Sequence, residues 1–191
     1  QAQRALVVAA LKAGIDANVE VREEQRQFNL IACPQYPELI PNMVNLNNDK
    51  ANRAFVIGDT PMTLAPNVID IDNWSNNVDG LGLGVSDPYL AVYYPSGYAT
   101  NLDGESVVVP PSHMMLRTYI RSDNQSYPWF APAGVRRGLI DNMTSIGYVD
   151  RTDNNVFRSI GVTSGLRDVL YADNVNPITV LPGVDRKSTR L

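Results

Sequence analysis

Side-chain chemistry needs a nucleophile or metal ligand, a base and an orienting partner in reach of one another, and few residues here can supply them. His113 is the sole histidine and Cys33 the sole cysteine. As a general base His113 would need a nucleophile and an orienting carboxylate beside it. It follows Pro110, Pro111 and Ser112, so it reads as a helix-start residue that satisfies local hydrogen bonds. One histidine and one cysteine do not make a zinc site of the usual kind. No Lys, Arg or His flanks Cys33 to lower its pKa, and a buried, inert thiol is expected.

Other motifs fare no better. The run GLGLG at 80–84 lacks the Lys-Ser/Thr of a nucleotide-binding loop and does not lie between a strand and a helix. Asp70 and Asp72 invite a hard cation, yet no loop has the D-x-[DN]-x-[DN]-G spacing of an EF-hand. With Asp59, Asp79, Asp87 and Asp103 they read as turn residues that bond their own backbone. The segment GVTSG at 161–165 puts its serine at the wrong place for a nucleophile elbow, and Ser164 suits the cap of a following helix. The expectation is no catalytic residue, no metal, no cofactor, and no enzyme. The alternative is an α/β enzyme or small-ligand-binding domain without a recognisable motif, which a deep pocket with convergent polar groups would mark.

Recognition of another protein is better provided for. Tyr127, Pro128, Trp129, Phe130 and Pro132 form an aromatic-proline cluster. Proline pre-orders such a segment, so fixing it at an interface costs little further entropy. Equally, Trp129 and Phe130 could pin the loop to its own domain. Arg136 and Arg137 could meet acidic residues of a neighbouring subunit, or stand as ordinary solvated arginines. Trp129, Phe130, Arg136 and Arg137 are therefore the candidate subunit-interface residues.

The elements that must carry these residues can be read from pattern. Residues 2–13 are helix-favouring, with Gly14 as a stop. Phe28–Cys33 and Ala54–Gly58 are unbroken apolar-rich runs suited to buried strands, and Pro37–Asn48 is an amphipathic helix opened by its proline. Residues 63–88 are rich in Asn, Asp and Gly and read as a long surface loop, with Val68–Val85 the least ordered interior part. Tyr89–Tyr94 and Ser106–Val109 are strands, with Gly97–Gly104 a hairpin-like loop between them. Pro110 and Pro111 end the second strand, and Ser112 can cap a helix over His113–Ile120. Further helices are expected at Val135–Ile140 and Ser164–Asp173, an irregular strand within Arg151–Val162, and a short one at Ile178–Leu181. Such alternation predicts an α/β fold, a central mixed sheet flanked by helices with long irregular loops.

Composition agrees. With 44% hydrophobic residues, the 191-residue chain can build a sizeable core and fits a single α/β domain. The net charge of −4 carries no basic stripe of the kind that binds nucleic acid. A lone cysteine cannot form an intramolecular disulfide, which fits a reducing cytoplasm. No apolar run approaches the roughly 18–20 residues that span a bilayer, so no membrane insertion is expected.

Residues 105–134, ESVVVPPSHMMLRTYIRSDNQSYPWFAPAG, resemble the part of contractile-tail sheath proteins of tailed bacteriophages where a strand ends in VPPS-H and leads to W-x-A-P-A-G. Residues 28–61, ending in DTP, are similar to that family's strand, proline loop, helix and strand. PYLAVYYPSG at 88–97 resembles its Y-x-A-x-Y-Y-P strand, and GLRDVLYADNVNPITVLPG at 165–183 its helix, N-x-N-P turn and final strand. In the family the chain continues past that last P-G, so residues 1–191 are expected to be a fragment of a larger sheath subunit, shortened at both ends.

The resemblance implies a structural subunit that polymerises around a tail tube and contracts to drive it through the host envelope. Its partners would be other sheath subunits, the tail tube protein, the baseplate and the tail terminator. Its place would be the virion's contractile tail, after assembly in the host cytoplasm. Such a protein needs head-to-tail surfaces that propagate as a helix and two packings separated by a modest free energy. The family's subunits also exchange terminal arms that add strands at sheet edges. Without such arms the chain is expected to be monomeric or weakly associated.

Overall fold

Three apolar runs that read as strands, at 28–33, 54–58 and 89–94, lie side by side in a parallel sheet with helices on both faces. The computed structural model describes residues 2–127, 129–141, 143–181 and 184–188, with the side chains of Val135, Arg136, Leu181 and 184–188 outside the description. The chain opens with α1 (Ala2–Ala17) and the single turn α2 (Val19–Arg22). Gly14 does not stop α1, because the last turn is held from outside. Arg22 donates to the Ile15 carbonyl, and Asn42 donates to the Asp16 carboxylate. Then come β1 (Leu30–Ala32), a 3₁₀ turn at Pro37–Leu39, α3 (Ile40–Asp49) and β2 (Phe55–Asp59).

Next is α4 (Val68–Ser75), inside the stretch expected to be loop. The Asn67 side chain accepts from the Ile69 N–H and starts the helix. Ile71 is fully buried, and Leu64 and Leu83 fasten the flanking chain to the same core. After β3 (Leu90–Tyr94) and the cis Tyr94–Pro95 peptide, β4 (Ser96–Thr100) runs into β5 (Ser106–Val109). Gly97–Gly104 is therefore half strand, and the hairpin loop is confined to 101–105. There the Asn101 side chain accepts from the Asp103 and Glu105 N–H groups. The helix after Pro110 is α5 (Pro111–Gln125), longer than expected, and Pro110 rather than Ser112 occupies its cap.

The remaining elements are α6 (Gly134–Arg137), β6 (Ser145–Asp150), β7 (Val156–Ser159), α7 (Ser164–Ala172), β8 (Val175–Leu181) and β9 (Val184–Ser188). α6 is one turn, ending at Gly138, where a helix to Ile140 was expected. Thr163, not Ser164, caps α7 through its hydroxyl.

One sheet has the order β1-β2-β3-β8-β9, with the first four strands parallel and β9 antiparallel to β8. The other is antiparallel, in the order β5-β4-β6-β7. β1 was expected to be buried, but it lies at a sheet edge and is only half-buried. The side chains of β2 and β3 alternate between two cores, as the pleat requires. Val56, Val92 and Tyr94 pack under α3, α4 and α7, while Ile57, Ala91 and Tyr93 pack under Met114, Met115 and Tyr119 of α5. The architecture is α/β, a mixed sheet flanked by helices.

Candidate assembly interface

Open parallel sheets usually receive small ligands at the carboxyl ends of their strands. Here the end of β2 is sealed, although a cleft of about 340 Å³ lies beyond the ends of β1 and β2, between Gln35, Pro61 and Trp74. Asp59, the last residue of β2, is 2% exposed. Its carboxylate accepts from the Gln35 N–H at 2.8 Å, the Ser112 N–H at 2.5 Å and the Ser112 hydroxyl at 2.8 Å. Thr60 donates to the Tyr93 carbonyl at 3.0 Å and closes the gap to β3. The Pro110-Pro111-Ser112 motif thus delivers a serine to Asp59, and His113 points outward as an exposed residue. Burial, then the nearby Asp59 charge, push the Cys33 thiol up.

Burial also raises the Asp59 pKa to about 6, against the opposing pull of the three hydrogen bonds and of His113. The folded protein therefore holds this proton more tightly than the unfolded chain. Its contribution to stability is fully present below the ordinary value of 3.8 and is lost as pH rises through about 6. A loss of about 3 kcal/mol is expected over that window. Urea unfolding at a series of pH values should show this fall, and Asp59→Asn should flatten it. Wild-type stability that rises across the window would contradict the assignment.

The amino edge of the sheet is open as well. Leu30, Phe55 and Leu90, the first residues of β1, β2 and β3, line a cleft of about 430 Å³ together with Tyr119 and Asp123 of α5 and residues 129–132. The Tyr127 and Trp129 rings stack at 4.7 Å and 5°, and Phe130 is tilted against both. The Arg137 guanidinium lies 3.8 Å from the Phe130 ring centre. Trp129 remains 75% exposed, whereas Phe130 is half-buried. Phe130 pins the loop to its own domain, and Trp129 faces outward. Asp141 pairs with Arg117 and Arg121, each at 3.1 Å, and fixes the chain beyond α6 to α5. Trp129, Phe130 and Arg137 stand together; the side chain of Arg136, and Pro128, lie outside the described residues.

Among the further clefts on this edge that sequence reading missed are two with charge in their walls. One, of about 410 Å³, lies between the segment entering β1 and the turn from α3 to β2, lined by Arg26, Phe28, Lys50 and Arg53 with Glu24 as its acidic member. The other, of about 340 Å³, lies between the end of α4 and the end of α7, with Asp87 and Asp173 in its wall. Burial, then the Asp72 charge, raise the pKa of Asp173. Among the described residues no group of three or more His, Cys, Asp and Glu side chains could hold a metal ion. No described helix is long and apolar enough to cross a membrane.

No family model and no curated protein matches the chain. Solved structures do. The helical sheath of the anti-feeding prophage in its contracted state aligns with a TM-score of 0.57 and 19% identity, over 95% of this chain and 41% of that one. The baseplate of the same prophage aligns with a TM-score of 0.54 and 18% identity, over 95% and 40%. The chain thus spans about two fifths of the length of the chains it matches. At such identity the shared property is the fold.

Proposed function

We propose that this chain is a structural subunit of a contractile tail sheath, polymerising around a tail tube and contracting to drive it through an envelope. The observation that carries the proposal is the sheath-like fold over 95% of the chain. On this reading its partners are further sheath subunits, the tube, the baseplate and the terminator, and it acts as a virion component without catalysis, assembled in the host cytoplasm. Trp129, Phe130, Arg136 and Arg137 belong to a subunit contact. An exposed tryptophan stacked on a tyrosine beside an apolar cleft is a typical anchor, large and rigid, with little entropy left to lose.

Trp129→Ala is the first test. It should leave thermal unfolding within about 0.5 kcal/mol of wild type, as for an exposed position. Self-association should weaken by about 2 kcal/mol, roughly thirtyfold, as for an interface anchor. Sedimentation across a concentration series reads the second quantity. An association constant unchanged by the substitution would remove Trp129 from the contact.

A further inference from the structure

We infer that the basic cleft at the β1–β2 end of the amino edge receives the acidic cleft at the β3–β8 end of a second copy of this chain, a head-to-tail electrostatic contact between subunits. The inference rests on the assembly reading above, and its own support is the distribution of charge. Residues 54–116 contain no Lys or Arg, yet they include Asp59, Asp70, Asp72, Asp79, Asp87, Asp103 and Glu105. Apart from the buried Asp59, two of these, Asp72 and Asp87, come near Asp173 around one cleft. Their hydrogen bonds are local: Asp87 accepts from the Tyr89 N–H, and Asp72 from the Asn76 side chain. Among the described residues no cation pairs with any of the three.

The opposite cleft is the counterpart. Arg26 and Arg53 are exposed, and no described hydrogen bond or ion pair engages either guanidinium. Lys50 is held in place by the Glu23 carbonyl and stands 5.6 Å from the centre of the Phe28 ring. Unpaired guanidinium groups have a planar fork suited to carboxylates, and the acidic cleft supplies carboxylates with no cation of their own. The two clefts cannot meet within one chain, because the strand order β1-β2-β3-β8-β9 sets them on either side of the β2–β3 pair. A contact between them therefore joins two copies, the β1–β2 cleft of one to the β3–β8 cleft of the next. Such a contact is heterologous and repeats from copy to copy. Complementary charge also sets register and speeds encounter, and salt screens it.

Charge reversal tests this directly. Arg26→Glu with Arg53→Glu makes both ends acidic, and Asp72→Lys with Asp87→Lys makes both ends basic. Sedimentation velocity at low salt should show each double variant associating about tenfold or more weakly than wild type. An equimolar mixture of the two should recover association, since unlike ends meet again. Added salt should weaken wild-type association, a measurement that needs no variant to fold. Wild-type association that is indifferent to salt and to both reversals would overturn this contact while leaving the sheath reading in place. Wild type that stays monomeric at every concentration would overturn both.

Discussion

Replacing Asp59 with alanine is expected to remove about 3 kcal/mol of folding stability, since the buried Ser112 N–H and the part-buried Gln35 N–H lose their acceptor and hydrogen bonds to a carboxylate are the stronger kind. Three otherwise separate parts of the chain converge on this side chain: the Gln35 turn after β1, the end of β2 and the first turn of α5. Gln35 has a φ of 76°, a backbone conformation that most residues avoid, and its N–H is held at 2.8 Å by Asp59. The loss is tempered because deletion also removes a poorly solvated carboxylate. Asp59→Asn should cost less, under about 1 kcal/mol, since it keeps an acceptor for Ser112 and removes the buried charge, which offsets setting an amide against another donor. Chemical denaturation near neutral pH separates the two variants. An alanine variant as stable as wild type would show that the clasp is dispensable.

Gly147→Ala should be comparably damaging, about 3 kcal/mol, through a clash that no rotamer relieves. A Cβ at this position would lie 2.0 Å from the Arg158 carbonyl oxygen and 2.7 Å from the end of the Phe157 ring. The first contact is with backbone, so β7 would have to move away from β6. That shift would break the register Gly147↔Ser159 and unseat Phe157, whose ring stacks on Tyr98 of β4 at 4.7 Å. β4 is the next strand in the sheet, so the damage would cross it. Gly161→Ala is the control: nothing lies within 4 Å of its added carbon. It should stay within about 0.5 kcal/mol of wild type. Thermal unfolding of the pair decides the matter, and equal melting temperatures would refute the clash.

Sequence alone reached the elements whose identity is written in local pattern. β2 and β3 are apolar runs bounded by turn residues, and α5 follows a double proline; each was found to within a few residues. β4 was not, because SGYAT has too little apolar character to stand out. It is a strand because β5 and β6 supply its partners, and because Gly97 leaves room for the Met114 sulfur. α4 hid for a similar reason: it lies in an Asn- and Asp-rich stretch and buries Ile71 alone. β1 was assigned to the centre because an apolar run does not say how many neighbours it has. The aromatic cluster was legible because its members are consecutive. The charged clefts were not, since Arg26 and Arg53, or Asp87 and Asp173, meet only once the strands have been ordered. The absence of Lys and Arg from residues 54–116 was the one signal that could have pointed to them.

The central claim is that this chain is an assembling structural unit whose contacts propagate. Sedimentation velocity from micromolar to millimolar concentration at low salt, with electron microscopy of the same samples, tests it most directly. The account predicts weak but open-ended growth, with the mean sedimentation coefficient rising continuously and short filaments or stacked arcs at the highest concentrations. A strictly monomeric chain throughout, or a single closed dimer that saturates, would contradict it.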